Sequence, residues 1–198
     1  MFLIEKLKDY RLILASRSPR RRQLLADCGL DFALACDYEA EERYPADLAP
    51  ESVPVFLSEL KSEAYPRPLA AGEILITADT VVVAAGRILG KPSGRDEAVS
   101  MLRLLSGRTH SVVTGVTLRD ASRRQSFDSR TAVTFRTLSE EEIDYYVDRY
   151  RPYDKAGSYG IQEWIGYVAI ERIEGSFYNV MGLPVQKLYT ALNDFTER

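Results

Sequence analysis

Apolar positions along this chain alternate between continuous runs and helical spacing. Residues 12–15, LILA, are too short and too uniform for a helix and read as a buried strand. Ser16, Arg17 and Ser18 break the run, and the Ser18-Pro19 pair marks a helix start, a hydroxyl N-cap followed by proline at the first position. That helix is expected to run to Cys28, with Gly29 as its stop. A short strand over residues 32–36 precedes an acidic, proline-punctuated segment. Helical spacing returns over residues 52–65, where Val53, Phe56, Leu57, Leu60 and Ala64 share one face and Lys61 lies at its edge. Residues 74–85, ILITADTVVVAA, form the most strand-like run, with Asp79 inside it. Gly86 turns the chain, residues 87–89 return, and a helix over residues 96–105 stops at Gly107. Two long strands, residues 110–118 and 127–135, flank a polar turn and predict an antiparallel hairpin. Ser139 with Glu142 is a capping box for a helix over residues 140–149. Residues 153–164, YDKAGSYGIQEW, have little periodicity and read as a site loop. Residues 165–173 read as the last strand, and Gly182-Leu183-Pro184 opens an amphipathic helix through Phe195. Helices interspersed with strands and hairpins predict an α/β fold, a mixed twisted sheet flanked by helices.

Composition narrows the class. The length of 198 residues suits a single domain spanning residues 1–198, either one body or two lobes around a cleft. The net charge of -3, from 26 basic and 29 acidic residues, argues against a nucleic-acid or membrane-surface binder. Any polyanion site must be local. Two cysteines, Cys28 and Cys36, make neither a disulfide framework nor a zinc cluster. The single histidine, His110, disfavours a His-based metal site or a Ser-His-Asp triad and is read as structural. A charged N-terminus and the lack of a long apolar run give a cytoplasmic expectation.

The candidate chemistry lies at element ends. Arg20, Arg21 and Arg22 fall in the first turn of a helix, where the macrodipole already disfavours cations. They make sense if an anion joins them, and a strand–turn–helix with hydroxyls, backbone N–H groups and arginines is a phosphate site in outline. The alternative is a solvated basic patch. Asp79 inside an apolar strand is costly unless it is paired, hydrogen-bonded or bound to a metal. Ser16, Arg20, Arg21, Lys61 and Lys91 are donors, Glu42 and Asp79 are carboxylates, and Gln162 is an amide in a glycine-rich loop. Only six of the 26 basic residues are lysines, and Lys61, Lys91 and Lys155 stand where solubility does not call for them. A nucleoside triphosphate would need such cations and a divalent metal, Mg²⁺ or Mn²⁺, with carboxylates to hold the metal or activate water. Neither a Walker A pattern nor a dinucleotide GxGxxG is present, so the phosphate cradle would be of another kind.

The strings SRSPRRRQLL, ITADTVV, LGKP, MLRLLSGRTHSVVTGV, KAGSYGIQ and NVMGLP, in this order, resemble the Maf family of nucleotide pyrophosphatases over residues 12–192. The resemblance implies an elongated α/β fold similar to the inosine-triphosphate pyrophosphatases, in a cytoplasmic homodimer. It implies hydrolysis of a nucleoside triphosphate to the monophosphate and pyrophosphate with a divalent metal. Carried over, it assigns Ser16, Arg20, Arg21, Lys61, Thr80, Lys91 and Gln162 to the substrate, Glu42 (or adjacent Glu41) and Asp79 to the metal, and Asp79 to proton acceptance. Leu60-Lys61-Ser62 departs from the more usual Glu-Lys-Ala. Arg20, Thr80 and Gln162 match the subgroup that prefers dTTP and UTP. A sister subgroup preferring 7-methyl-GTP has an aromatic residue, Gln and Glu there. Gln162 offers a donor and an acceptor to the O4/N3 edge of uracil or thymine, whereas guanine's N1 and N2 donors suit a carboxylate. The competing class is a nucleotide-binding regulator of septum formation without turnover.

Overall fold

The computed structural model describes residues 2–197. In chain order the elements are α1 Leu3–Lys6, β1 Arg11–Ala15, α2 Pro19–Asp27, β2 Phe32–Leu34, α3 Val53–Glu63, β3 Glu73–Ala84, β4 Arg87–Leu89 and α4 Arg95–Leu105. They continue with β5 Thr109–Arg119, β6 Arg124–Phe135, α5 Glu140–Tyr150, α6 Trp164–Ala169, β7 Ile170–Glu174, α7 Phe177–Met181 and α8 Val185–Phe195. Seven strands form one mixed sheet in the order β2-β1-β3-β5-β6-β7, with β4 added to β3. The mixed α/β class expected from the sequence is the one observed. No helix among the described residues is long and apolar enough to cross a membrane.

Two compact units divide the chain. The first comprises Met1–Asp79, Thr114–Ser129 and Gly182–Arg198. Here β1 pairs in parallel with both β2 and β3, and Ala15 lies opposite Thr77. Ile13, Ala15, Leu69 and Leu75 form a small core against Ala35, Tyr38 and Tyr65. Helix α3 is fixed by buried hydroxyls: Thr77 Oγ1 donates to the Ser58 carbonyl at 2.6 Å, and Ser58 Oγ meets Thr117 Oγ1 at 2.7 Å. Gly115 lets β5 approach α3 closely, since a Cβ there would stand 2.3 Å from the Pro54 carbonyl carbon.

The second unit comprises Thr80–Val113 and Arg130–Met181. Its core gathers Val82, Leu102, Leu105, Val112, Phe135, Tyr146, Val147 and Ile165 around the buried face of α4. Ser139 caps α5 through the expected capping box with Glu142. His110, Phe135 and Tyr159 pack edge to face with centroids 5.0–5.4 Å apart, and His110 Nε2 meets Tyr159 Oη at 2.8 Å. His110 is therefore a core residue, as the sequence suggested.

One expected element is corrected. Residues 165–173 are not a single strand, because residues up to Ala169 form α6 and only Ile170–Glu174 is β7. Ile165 and Ala169, four apart, bury one helical face, and Gly166 permits contact with the Ile161 carbonyl that any side chain would block. The short helices α1 and α7 have too few residues to show a period, and the sequence reading missed both.

Burial holds the His110 imidazole down to a pKa of about 4. The unfolded chain binds a proton near pH 6.5 that the folded chain refuses, so this stability is complete above pH 6.5 and lost as pH falls toward 4. The loss reaches about 3 kcal/mol over that window. Urea unfolding from pH 7 to 4 is expected to show this slope, and His110→Phe to flatten it; an equal slope in both proteins would reject the assignment.

Candidate active site

The first unit gathers most of the chemistry foreseen in the sequence. β1 and β3 run parallel with Ala15 opposite Thr77, so Ser16 follows the carboxyl end of β1 and Asp79 lies in mid-β3, two residues past the last paired position. Parallel α/β sheets bind ligands at such ends. Ser16 is buried, and its Oγ accepts the Ser18 N–H at 3.2 Å, closing the turn into α2. Ser18 caps α2 by accepting the Arg21 N–H at 3.4 Å, with Pro19 at the first helical position. Cys36 adds a brace, its thiol donating to the Ser16 carbonyl at 3.2 Å.

Asp79 interrupts the apolar strand because it has a partner. Lys61 Nζ donates to Asp79 Oδ1 at 2.6 Å and lies 2.9 Å from Glu42 Oε1. Asp79 and Lys61 are largely buried, whereas Glu42 is half exposed. The neighbouring Glu41 pairs with Arg43 at 2.7 Å, so Glu42 is the acidic residue that faces Lys61. Lys61 stands one helical turn beyond Ser58, whose buried contacts with Thr77 and Thr117 set the position of α3. Tyr38 completes the support by donating to the Lys61 carbonyl at 2.8 Å, and burial pushes its phenol up to about 12.

Arg21 turns inward from α2. Its Nε donates to the Gly182 carbonyl at 2.7 Å and its Nη1 to the Ala78 carbonyl at 3.0 Å, one residue before Asp79. Burial lowers the guanidinium pKa, and the Asp79 and Glu42 carboxylates oppose that shift while Arg20 adds to it. Arg21 thus ties the α2 start to the strand that carries Asp79, a structural duty the sequence reading did not foresee. A guanidinium suits this duty because its donors are spread along a rigid fork.

Thr80, Lys91 and Gln162 belong to the second unit. Thr80 is half-buried in β3, and Lys91 is exposed in the loop after β4. Gln162 is half-buried in a turn before α6, and its Oε1 is buried with no hydrogen-bond partner among the described residues.

Glu42 and Asp79 are the carboxylates suited to a divalent cation. Among the described residues no group of three or more His, Cys, Asp or Glu side chains forms a protein-only cage. Two carboxylates fit Mg²⁺ or Mn²⁺, which keep waters and take further oxygens from substrate phosphates. The donor set therefore fits a metal that arrives with a phosphorylated ligand.

The first unit thus brings together a capped helix start, an inward arginine and a lysine held between two carboxylates in a mixed α/β protein. The chain belongs to the Maf-like protein family, whose profile matches residues 11–195. It is 55% identical over 197 residues to a dTTP/UTP pyrophosphatase of Porphyromonas gingivalis, covering 98% of this chain and 99% of that protein. It is 52% identical over 190 residues to a dTTP/UTP pyrophosphatase of Bacteroides thetaiotaomicron, covering 96% and 98%. Among solved structures, a HAM1 protein from Coxiella burnetii aligns with a TM-score of 0.47 at 13% identity, covering 93% of this chain and 99% of that one.

The Lys61–Asp79 pair makes a stability prediction. Lys61→Met takes the ammonium from the largely buried Asp79 carboxylate and is expected to cost about 2 kcal/mol at neutral pH. Adding Asp79→Asn should recover most of it, because the stranded charge is then gone. Urea unfolding of the two single variants and the double variant checks this; strictly additive losses would sever the pair.

Proposed function

We propose that this chain is a nucleoside triphosphate pyrophosphatase that converts dTTP or UTP into the monophosphate and pyrophosphate. The observation that carries the reading is Lys61 set between Glu42 and Asp79, with Arg21 of α2 bonded to the carbonyl just before Asp79. Membership of the Maf-like family and relatives named dTTP/UTP pyrophosphatase at 55% and 52% identity support it. On the same reading the enzyme works in the cytoplasm as a homodimer on a small nucleotide, which the family resemblance supports, and without nucleic-acid or membrane partners, which the net charge of -3 supports.

In this reading Asp79 takes a proton from water as the water oxygen attacks the α phosphorus. The bond from that phosphorus to the bridging oxygen breaks, and its electron pair leaves with pyrophosphate. Lys61 orients the Asp79 carboxylate and balances its charge. Ser16, Arg20 and Arg21, around the positive end of α2, provide hydrogen bonds and positive charge for phosphate oxygens. Lys91 adds a cation, as the family resemblance assigns it. A divalent cation held by Glu42 and Asp79 would neutralise phosphate charge. Gln162 supports the pyrimidine choice: its amide carries both an acceptor and a donor for the N3–H and O4 edge, and its Oε1 is buried and unmatched among the described residues. Arg20 and Thr80 complete the pyrimidine-type trio. A regulator that only bound nucleotide would use Asp79 to hold the cation and would have no need of it as a proton acceptor.

With Mg²⁺ or Mn²⁺, ion-exchange analysis of dTTP and UTP reactions is expected to show monophosphate and pyrophosphate in equal amounts. Diphosphate with orthophosphate would overturn the reaction type.

Asp79→Asn keeps the shape and an acceptor for Lys61 while removing the basic carboxylate. Turnover should fall by about 10²-fold or more with the fold intact. Retention of more than a tenth of wild-type kcat, about one order of magnitude short of that fall, would remove Asp79 from the chemical step.

A further inference from the structure

We propose that Lys155, Glu163 and Tyr146 form a lock that sets the Gln162 amide and so tunes base preference, an inference that rests on Gln162 reading the base. The Glu163 N–H donates to the Gly160 carbonyl at 3.0 Å, closing a turn with Ile161 and Gln162 at its two central positions. Both ends of this turn meet Tyr146. Its hydroxyl accepts the Gly160 N–H at 3.0 Å and donates to the Glu163 carboxylate. The other oxygen of that carboxylate pairs with Lys155 Nζ at 3.0 Å, and Lys155 is buried. A phenol, a carboxylate and an ammonium thus clamp the four-residue turn that presents Gln162.

The packing leaves the clamp little slack. A Cβ at Gly160 would stand 2.9 Å from the Glu163 carboxyl carbon and 3.1 Å from Lys155 Cε. Ile161 is buried, and Gly166 of α6 lies against its carbonyl. Tyr146 is stacked on Tyr150, with ring centroids 5.1 Å apart. Upstream, the Gly157 N–H donates to the Gly90 carbonyl at 3.0 Å, fixing the loop on its other side. A buried lysine and a buried phenol are costly to desolvate, and a loop that only connected two elements would not require them. Holding an amide to within a fraction of an ångström does require such support.

The lock is a positioning device, so its loss should change selectivity more than it changes overall rate. The experiment measures kcat/KM for UTP, dTTP and GTP with the full chain, as wild type, Tyr146→Phe and Glu163→Gln, alongside urea unfolding. Tyr146→Phe deletes one oxygen and leaves the ring stack. The ratio of pyrimidine to guanine kcat/KM is expected to fall about tenfold or more in both variants, with GTP changed less than about threefold. An unchanged ratio in folded variants, with all bases lowered alike, would make the cluster merely structural and overturn the proposal. Loss of folding in Tyr146→Phe would overturn it equally. A wild type without preference for pyrimidines would instead reject the reading of Gln162 and the lock with it.

Discussion

The ion pair between Lys61 and Asp79 is the constraint on which the first unit turns. A lone carboxylate in the middle of an apolar strand would be expelled or neutralised. An ammonium at 2.6 Å gives it a partner where β1 and β3 end their parallel run. The pair in turn dictates its surroundings. Helix α3 must lie at one height against the sheet, and the Thr77, Ser58 and Thr117 hydroxyls hold it there. Residues 37–51, which have no regular helix or strand apart from one short turn of 3₁₀ helix, must bring Glu42 to the far side of the same ammonium.

Charge in this site is arranged in opposition. Arg21 and Lys61 bring cations to Asp79 and Glu42, so each carboxylate meets a positive group before any nucleotide arrives. A triphosphate would add negative charge to an assembly that already holds a helix N-terminus, two arginines and a lysine. Arg21 is engaged with two backbone carbonyls, so its role is architectural as well as electrostatic.

Much of this was legible in the sequence, for identifiable reasons. The Ser18-Pro19 start of α2 and the Ser139–Glu142 capping box are local signals, complete within four residues, and both appear as expected. Asp79 stood out because its neighbours are apolar, and Lys61 because it lies at the edge of an apolar stripe where solubility does not call for a lysine. The choice between Glu41 and Glu42 was not legible, since it depends on where an irregular segment crosses α3. The inward turn of Arg21 was hidden for a similar reason, because its acceptors at Ala78 and Gly182 are distant in sequence. Residues 165–169 misled because a short helix with both faces apolar has the composition of a strand.

The pairing of β1 with β3 also has a kinetic side. Arg11 and Glu73 are neighbours across the sheet yet lie 62 positions apart in the chain. Contacts of such separation close large loops and form slowly. During synthesis β1 leaves the ribosome early and has to wait for β3, its apolar edge exposed to β2 alone. The carboxylate of Asp79 comes into place only when β3 docks, so the site cannot be assembled before that long-range pairing has formed.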